Sequence, residues 1–504
     1  MVSLNGHSLT LGELVAIAHD HAPVAISAEA RARVEAARAV VDEFAGREEP
    51  AYGINTGFGN FADVKIPHDS LSQLQVNLLR SHAAGVGEPL PVPVVRASMA
   101  LRANVLAKGF SGIRVATLDL LVELLNRRIH PLVPSRGSVG ASGDLAPLAH
   151  MALVLIGEGM VTDASGHVDG RSALATAGLI PATLGPKEGL ALINGTQPST
   201  ALLGLTVAAA QRLARAADIA AALSIDGLQG SSKPFDARIH AARGLPDQSL
   251  SAANLRELLA DSGINAAHAN CGRVQDAYSM RCAPQVHGAA RAACRFAHDV
   301  FAAEANAATD NPMVFADTRE IVSGGNFHGA PVSVACDLLC IGLLQLATIS
   351  ERRADRLVNP AVSGLPAFLT RHGGLHSGLM MAQVTAAALT SELKTLAHPA
   401  SVDTIPTSGN KEDHVSMSMS AGLKAARMAE LVTRVLAVEL LCASQAIDLL
   451  KPLVTSPPLA RVHACIRAHV PPLADDRPPS RDIARISELI AGGDLERACA
   501  MKVN

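Results

Sequence analysis

Ala141-Ser142-Gly143, in the run Gly140-Ala141-Ser142-Gly143-Asp144-Leu145-Ala146-Pro147-Leu148, has the residue types needed to turn backbone into an electrophile. Unmodified side chains are poor electrophiles, so enzymes that need an electron sink normally borrow a cofactor. Gly143 lacks a Cβ, and its nitrogen can swing back onto the Ala141 carbonyl carbon through backbone angles that a larger residue resists. A five-membered ring then closes. Loss of water from that ring and from the Ser142 hydroxyl leaves an exocyclic methylene conjugated to an imidazolone, a carbon open to attack by an amine. The tripeptide also reads as a small-residue turn before a helix. Other uses of this stretch fail on pattern: the final glycine of a G-x-S-x-G elbow is missing, and no Gly-Lys-Ser or Gly-Lys-Thr closes a phosphate loop.

Further residues suggest partners for such chemistry. The chain has two tyrosines, Tyr52 and Tyr278. In Tyr52-Gly53-Ile54-Asn55-Thr56-Gly57-Phe58-Gly59 the glycines let a loop fold closely over a ligand, and a phenol that gives up its proton can serve as a base; a structural phenol is the alternative. Within Gln275-Asp276-Ala277-Tyr278-Ser279-Met280-Arg281-Cys282, Arg281 can offer a planar fork to a carboxylate or sit in a surface salt bridge. Asn194 reads as a turn residue or an amide donor, and Phe327 as a core residue or an aromatic face. His82 and Glu412 together can supply a donor and an acceptor to an imidazole ring. A phenyl ring would leave both unpaired, at a cost of about 1–3 kcal/mol each. His82 also reads as a helix-end histidine, and Glu412 as a partner of Lys411.

The longer run Gly137-Ser138-Val139-Gly140-Ala141-Ser142-Gly143-Asp144-Leu145-Ala146-Pro147-Leu148-Ala149-His150 resembles the signature of the ammonia-lyases and aminomutases that carry 4-methylidene-imidazol-5-one (MIO). Further blocks extend the resemblance in family order from about Gly6 to Leu453. It implies that Ala141, Ser142 and Gly143 form the MIO group autocatalytically, with no external cofactor, and that Tyr52 takes the β-proton of an amino acid substrate. It also brings Gln275, Tyr278 and Arg281 to the substrate, Arg281 on the α-carboxylate, and Asn194 and Phe327 to the pocket. Ala277 stands where relatives often have proline, and Lys411 where many have glutamine. Ser81-His82 and Asn410-Lys411-Glu412-Asp413-His414 resemble the histidine-acting branch, which implies removal of ammonia from L-histidine to give trans-urocanate. His82 and Glu412 would grip the ring, away from the self-processing backbone. Family members acting on tyrosine or phenylalanine, and 2,3-aminomutases, share the MIO group; a catalytically silent helical scaffold is the reading from another class. The resemblance further implies a homotetramer whose sites combine residues of neighbouring chains.

The elements that must position these residues read as mainly α. Of the 504 residues 49% are hydrophobic, chiefly Ala, Leu and Val, with 2% aromatic and no tryptophan, and Ala and Leu are strong helix formers. Apolar positions recur at helical spacing over 11–45, 68–84 and 93–129. From about residue 200 long segments at 199–224, 285–308, 331–357, 377–398 and 416–451 predict a bundle of long helices. Short hairpins are expected within 159–179 and around 313–322. The expected division is an N-terminal part carrying the MIO loop (1–200), a central bundle (201–454) and, after a proline-rich boundary at 455–482, a C-terminal helical appendage (455–504).

A net charge of −3 gives no reason to expect nucleic acid or an anionic membrane as partner. The N-terminus lacks a secretory pattern, and a cytoplasmic location is expected. The apolar stretches Leu338 to Ser350 and Ala201 to Ala210 look too short to span a membrane. Eight cysteines without C-x-x-C pairs, Cys336 and Cys340 among them, suggest buried thiols in a reducing compartment. His372 and His376 have an H-x3-H spacing, but the intervening glycines argue against a metal site, and none is expected.

Overall fold

The computed structural model describes residues 1–163, 166–269, 271–272 and 274–504. They form 21 α-helices and nine short strands. Four helices are long: Gln197–Gly227, Ala283–Glu304, Ala330–Val358 and Ser418–Leu449. The first three begin one or two residues before the periodic pattern does, because Pro198, Pro284 and Pro331 occupy first-turn positions that need no donated N–H. The segment 11–45 is two helices, Leu11–His19 and Ala28–Ala45, separated by the strand Val24–Ile26. Thr10 and Ser27 cap them, Thr10 in a reciprocal capping box with Glu13. Likewise 93–129 breaks into Val92–Leu106 and Val115–Asn126, with Gly109 and Gly112 in between at φ +82° and +67°.

The chain groups into two compact units, each assembled from three segments. The first comprises Met1–Leu205, Ala297–Asp337 and Pro399–Ala425. The second comprises Thr206–Phe296, Leu338–His398 and Ala426–Asn504. The change of texture near residue 200 falls close to the first break.

In the first unit, three helices pack on one another: Leu71–His82, Leu145–Leu155 and Glu188–Ile193. Buried Gln75 fastens two of them, its Oε1 accepting the N–H groups of Gly189 at 3.0 Å and Leu190 at 3.3 Å. Those two N–H groups open a helix and have no carbonyl within it to bond. Strands Val86–Pro89 and Pro134–Arg136 pair just before the small-residue loop. The hairpin expected within 159–179 is present as Met160–Asp163 with Gly166–Asp169, and His130–Pro131 adds a third strand; residues 164–165 lie outside the described residues. Met313–Phe315 and Glu320–Val322 form the second expected hairpin.

The second unit is held by buried polar clusters. Arg353 and Glu439, both fully buried, pair through two bonds of 2.5 and 2.9 Å, and Ser224 donates to the same carboxylate at 2.7 Å. Asp218 accepts from Arg291, His287, Ser251 and Asn254; burial pushes its pKa up, but Arg291, His287 and Ser251 outweigh this and hold it down at about 2. The proline-rich stretch 455–482 is not a bare boundary. Ser456 caps a helix Pro457–Arg467 with two prolines at its start, and that helix packs against Pro246–Leu259 and Asp494–Cys499. Pro457 and Pro458 open that helix, and Pro471 and Pro472 stand in the loop before the next, Pro479–Gly492.

One sequence expectation needs correction. Leu338 to Ser350 is the middle of the 29-residue helix Ala330–Val358, which is long and apolar enough to cross a membrane. Two-thirds of its most apolar window is buried inside the protein (67%), as in a core helix. Asp337 interrupts the apolar run but not the helix, which continues through it. Cys294, Cys336, Cys340, Cys442 and Cys499 are buried, and none of the eight cysteines is in a disulfide. Burial pushes the Cys442 thiol up to about 12, which keeps it protonated and unreactive. His376 is turned to Asp475 and Asp476, and the rings of His372 and His376 stand 6.2 Å apart.

Candidate active site

Helix ends build the site. His82 is the last residue of Leu71–His82, Ala141-Ser142-Gly143 lies just before Leu145–Leu155, and Asn194 is the C-cap of Glu188–Ile193. Because those helices pack together, the three ends meet at a cavity of about 420 Å³, within the range of small-molecule sites. Tyr52, His82, Ala141, Ser142, Asn194, Phe327 and Glu412 all line it. The structure does not bring Gln275, Tyr278 and Arg281 there. Gln275 and Arg281 line another cavity, in the second unit. Tyr278 is 71% exposed, and the Arg281 guanidinium lies 4.6 Å from the centre of its ring.

The tripeptide is held on every side. Gly143 adopts φ +70°, and a Cβ there would fall 2.1 Å from the Gly195 carbonyl oxygen, so no larger residue fits. That oxygen accepts the Asp144 N–H at 2.8 Å. Ser416 Oγ and the Gly329 N–H donate to the Gly140 carbonyl at 2.8 and 3.1 Å. Asn194 Nδ2 donates to the Ser142 carbonyl at 3.3 Å, and Ser142 Oγ donates to Glu412 Oε1 at 2.8 Å. Of the two residues expected to lie away from the self-processing backbone, Glu412 touches Ser142 directly, whereas His82 bonds Leu78 and Ser81. The other oxygen of Glu412 accepts from Thr407 Oγ1 at 2.6 Å, so its partners are these two hydroxyls.

His82 is half-buried, and burial lowers its pKa, opposed by the Leu78 carbonyl and by Glu412. Its Nδ1 lies 2.9 Å from the Leu78 carbonyl. A carbonyl only accepts, so Nδ1 carries the proton of the neutral ring and Nε2 is left as an acceptor. His82 is thus a helix-end histidine and a cavity residue at once. Tyr52 sits in the turn opening its glycine-rich loop, with the Gly59 N–H 3.4 Å from its hydroxyl and Phe58 edge-on at 6.4 Å.

Two residues given no role from the sequence matter to this geometry. Asp144 is fully buried, accepting from Ser138 Oγ at 2.7 Å and the Ser199 N–H at 2.8 Å. Burial raises its pKa, and those bonds oppose the rise. Arg102, also fully buried, donates to the Asn194 carbonyl and to Gln197 Oε1, each at 2.7 Å, and to the Ala191 carbonyl. Asp144 stood inside the motif as a readable signal. Arg102 had none, because it falls in the run Ala100-Leu101-Arg102-Ala103 and reads as a solvated helix face.

Comparison with known proteins agrees with this geometry. The family model described as aromatic amino acid lyase matches residues 9–468. The chain belongs to the aromatic amino acid lyase family. The histidine ammonia-lyase of Anaeromyxobacter sp. (strain K) is 55% identical over 502 residues, covering 98% of this chain and 99% of that protein. A crystal structure of histidine ammonia-lyase from Trypanosoma cruzi superposes with a TM-score of 0.92 at 44% identity, covering 99% of this chain and 95% of that one. The tyrosine aminomutase of Streptomyces globisporus superposes with a TM-score of 0.95 at 37% identity, covering 100% of both chains.

Family membership implies the MIO group, and the residues present fit it. Gly143 already has the left-handed backbone and the crowding that exclude a side chain. Asn194 Oδ1 is buried beside the tripeptide with no hydrogen-bond partner among the described residues, as expected of a pocket built for a further polar group.

Proposed function

We propose that this protein is a histidine ammonia-lyase, eliminating ammonia from L-histidine to give trans-urocanate. The observation that carries this reading is the meeting of the cyclisable tripeptide, the Tyr52 phenol and the His82 and Glu412 pair around one cavity. Full-length identity to histidine ammonia-lyases supports it. The β-hydrogen of histidine is scarcely acidic and its ammonium is a poor leaving group. Ala141, Ser142 and Gly143 would form the MIO group, which would supply an electrophile for the substrate amine and so make that amine a better leaving group.

The remaining work falls to side chains. Asn194 and Asp144 hold the loop in register, and Tyr52 accepts the β-proton. With its proton on Nδ1 the His82 ring accepts at Nε2 and Glu412 accepts as a carboxylate, so the pair is two acceptors, not a donor and an acceptor, and takes the two N–H groups of a protonated substrate imidazole. Phe327 closes the pocket with an apolar face. Arg281 binds the α-carboxylate through its planar fork, with Gln275 and Tyr278 beside it. These three reach the cavity from a neighbouring chain of a homotetramer. The exposure of Tyr278 and the buried Arg281 Nε, unpartnered among the described residues, support that arrangement. The disulfide-free cysteines support a cytoplasmic location.

The test is product analysis with L-histidine, L-tyrosine and L-phenylalanine, following acrylate absorbance and chromatographing β-amino acids. Urocanate formation with the highest kcat/KM is expected for histidine. A higher kcat/KM for either other substrate, or a β-amino acid as main product, would overturn the assignment.

A further inference from the structure

The hydrogen bond from Ser142 to Glu412 has no use in substrate elimination, because the hydroxyl that makes it is one the mature MIO group no longer has. We propose that Glu412 acts first on the protein itself, carrying the proton that lets the Ser142 hydroxyl leave as water. This rests on the reading that the tripeptide becomes an MIO group. Ring closure joins Gly143 N to the Ala141 carbonyl carbon and releases one water. The second water comes from Ser142: its Cα–H and Cβ–Oγ bonds break, and a Cα=Cβ bond forms. Hydroxide is a poor leaving group, so a proton must reach Oγ as the bond breaks. Glu412 takes the Cα proton as a carboxylate and hands it to Oγ as a carboxylic acid, ending as it began.

Geometry singles out this carboxylate. Oε1 is 2.8 Å from Ser142 Oγ, while Thr407 occupies Oε2 and so fixes which oxygen faces the serine. The nearby Asp144 carboxyl is committed to Ser138 Oγ and the Ser199 N–H. The arrangement also orders events. While the hydroxyl is present it occupies Oε1, and its departure frees that oxygen for the substrate ring. Glu412 is then a maturation residue first and a specificity residue second.

The full-length chain made by cell-free synthesis tests this, with the peptide containing residues 141 to 143 followed by mass spectrometry over time. The wild type should end two waters light. Glu412→Gln should accumulate a species one water light and lose the second water roughly 10²-fold more slowly, with Glu412→Asp between them. Loss of both waters from Glu412→Gln at the wild-type rate overturns the proposal. If circular dichroism shows that Glu412→Gln does not fold, Thr407→Val decides, since it keeps the carboxylate but releases its orientation. A several-fold slower second loss is expected there, and an unchanged rate overturns the proposal. A wild-type chain with no mass deficit overturns the MIO reading itself, and this step with it.

Discussion

Tyr52 is positioned by its loop. The loop is fastened by the Asn55 carboxamide, which accepts the Ala51 N–H at 2.7 Å, and by the Gly57 N–H, which donates to the Val64 carbonyl at 2.9 Å. Removing only the hydroxyl leaves those restraints in place. Tyr52→Phe is therefore expected to lower kcat by roughly 10²-fold or more with KM for histidine little changed, the pattern of a lost acid or base. Steady-state kinetics decide it, and near-normal kcat would move the role to another group. His82 supports a different prediction, because its ring bonds Leu78 and Ser81 and not the tripeptide. His82→Leu should cut kcat/KM for histidine and narrow the gap to phenylalanine, since a polar group that a phenyl ring cannot satisfy is gone. The mass deficit of the 141 to 143 peptide should stay at the wild-type value. A lost deficit would show that His82 serves maturation, and an unchanged histidine preference would sink its role in recognition.

At the scale of elements, the site is where the ends of three helices converge, and Arg102 secures one of them. Burial lowers the pKa of its guanidinium to about 10, so it remains charged at neutral pH. It ties the Ala191 and Asn194 carbonyls, left over at the end of Glu188–Ile193, to the helix Val92–Leu106. Arg102→Met would leave those two carbonyls buried without donors, a loss of about 2–6 kcal/mol at about 1–3 kcal/mol per unpaired group. A lower urea midpoint and incomplete water loss at residues 141 to 143 are expected; an unchanged midpoint would show that the carbonyls find other donors. The helices themselves were legible in the sequence, because alanine and leucine recur with the helical period and glycines and prolines mark the breaks. The tripeptide was legible because its chemistry is local. The contact between Ser142 and Glu412 was not, as 270 residues separate them and no periodicity relates a loop serine to a distant loop carboxylate. Arg102 was hidden for a related reason: its helix is buried on every side from Val94 to Leu106, and nothing in Leu101-Arg102-Ala103 shows that a charged residue there meets leftover carbonyls of a distant helix.

At the scale of the whole molecule, the residues assigned to substrate fall into two sets. Tyr52, His82, Ser142 and Glu412 belong to the first unit, and Gln275, Tyr278 and Arg281 to the second. Leu338, Ile341, Met381 and Val384 are exposed apolar residues of the second unit, as expected of a chain that buries further surface against copies of itself. If one chain supplies the phenol and another the guanidinium, each half can be removed separately and restored by mixing. Tyr52→Phe and Arg281→Ala chains should each form oligomers of nearly inactive sites. Co-expressed in equal amounts and assembled at random, about one site in four would combine a wild-type Tyr52 with a wild-type Arg281 from different chains. Activity near a quarter of the wild-type value is expected, with the mixed oligomer isolated by two affinity tags and its mass measured by sedimentation. Activity no greater than the mean of the two parent oligomers would mean that Tyr52 and Arg281 act from the same chain.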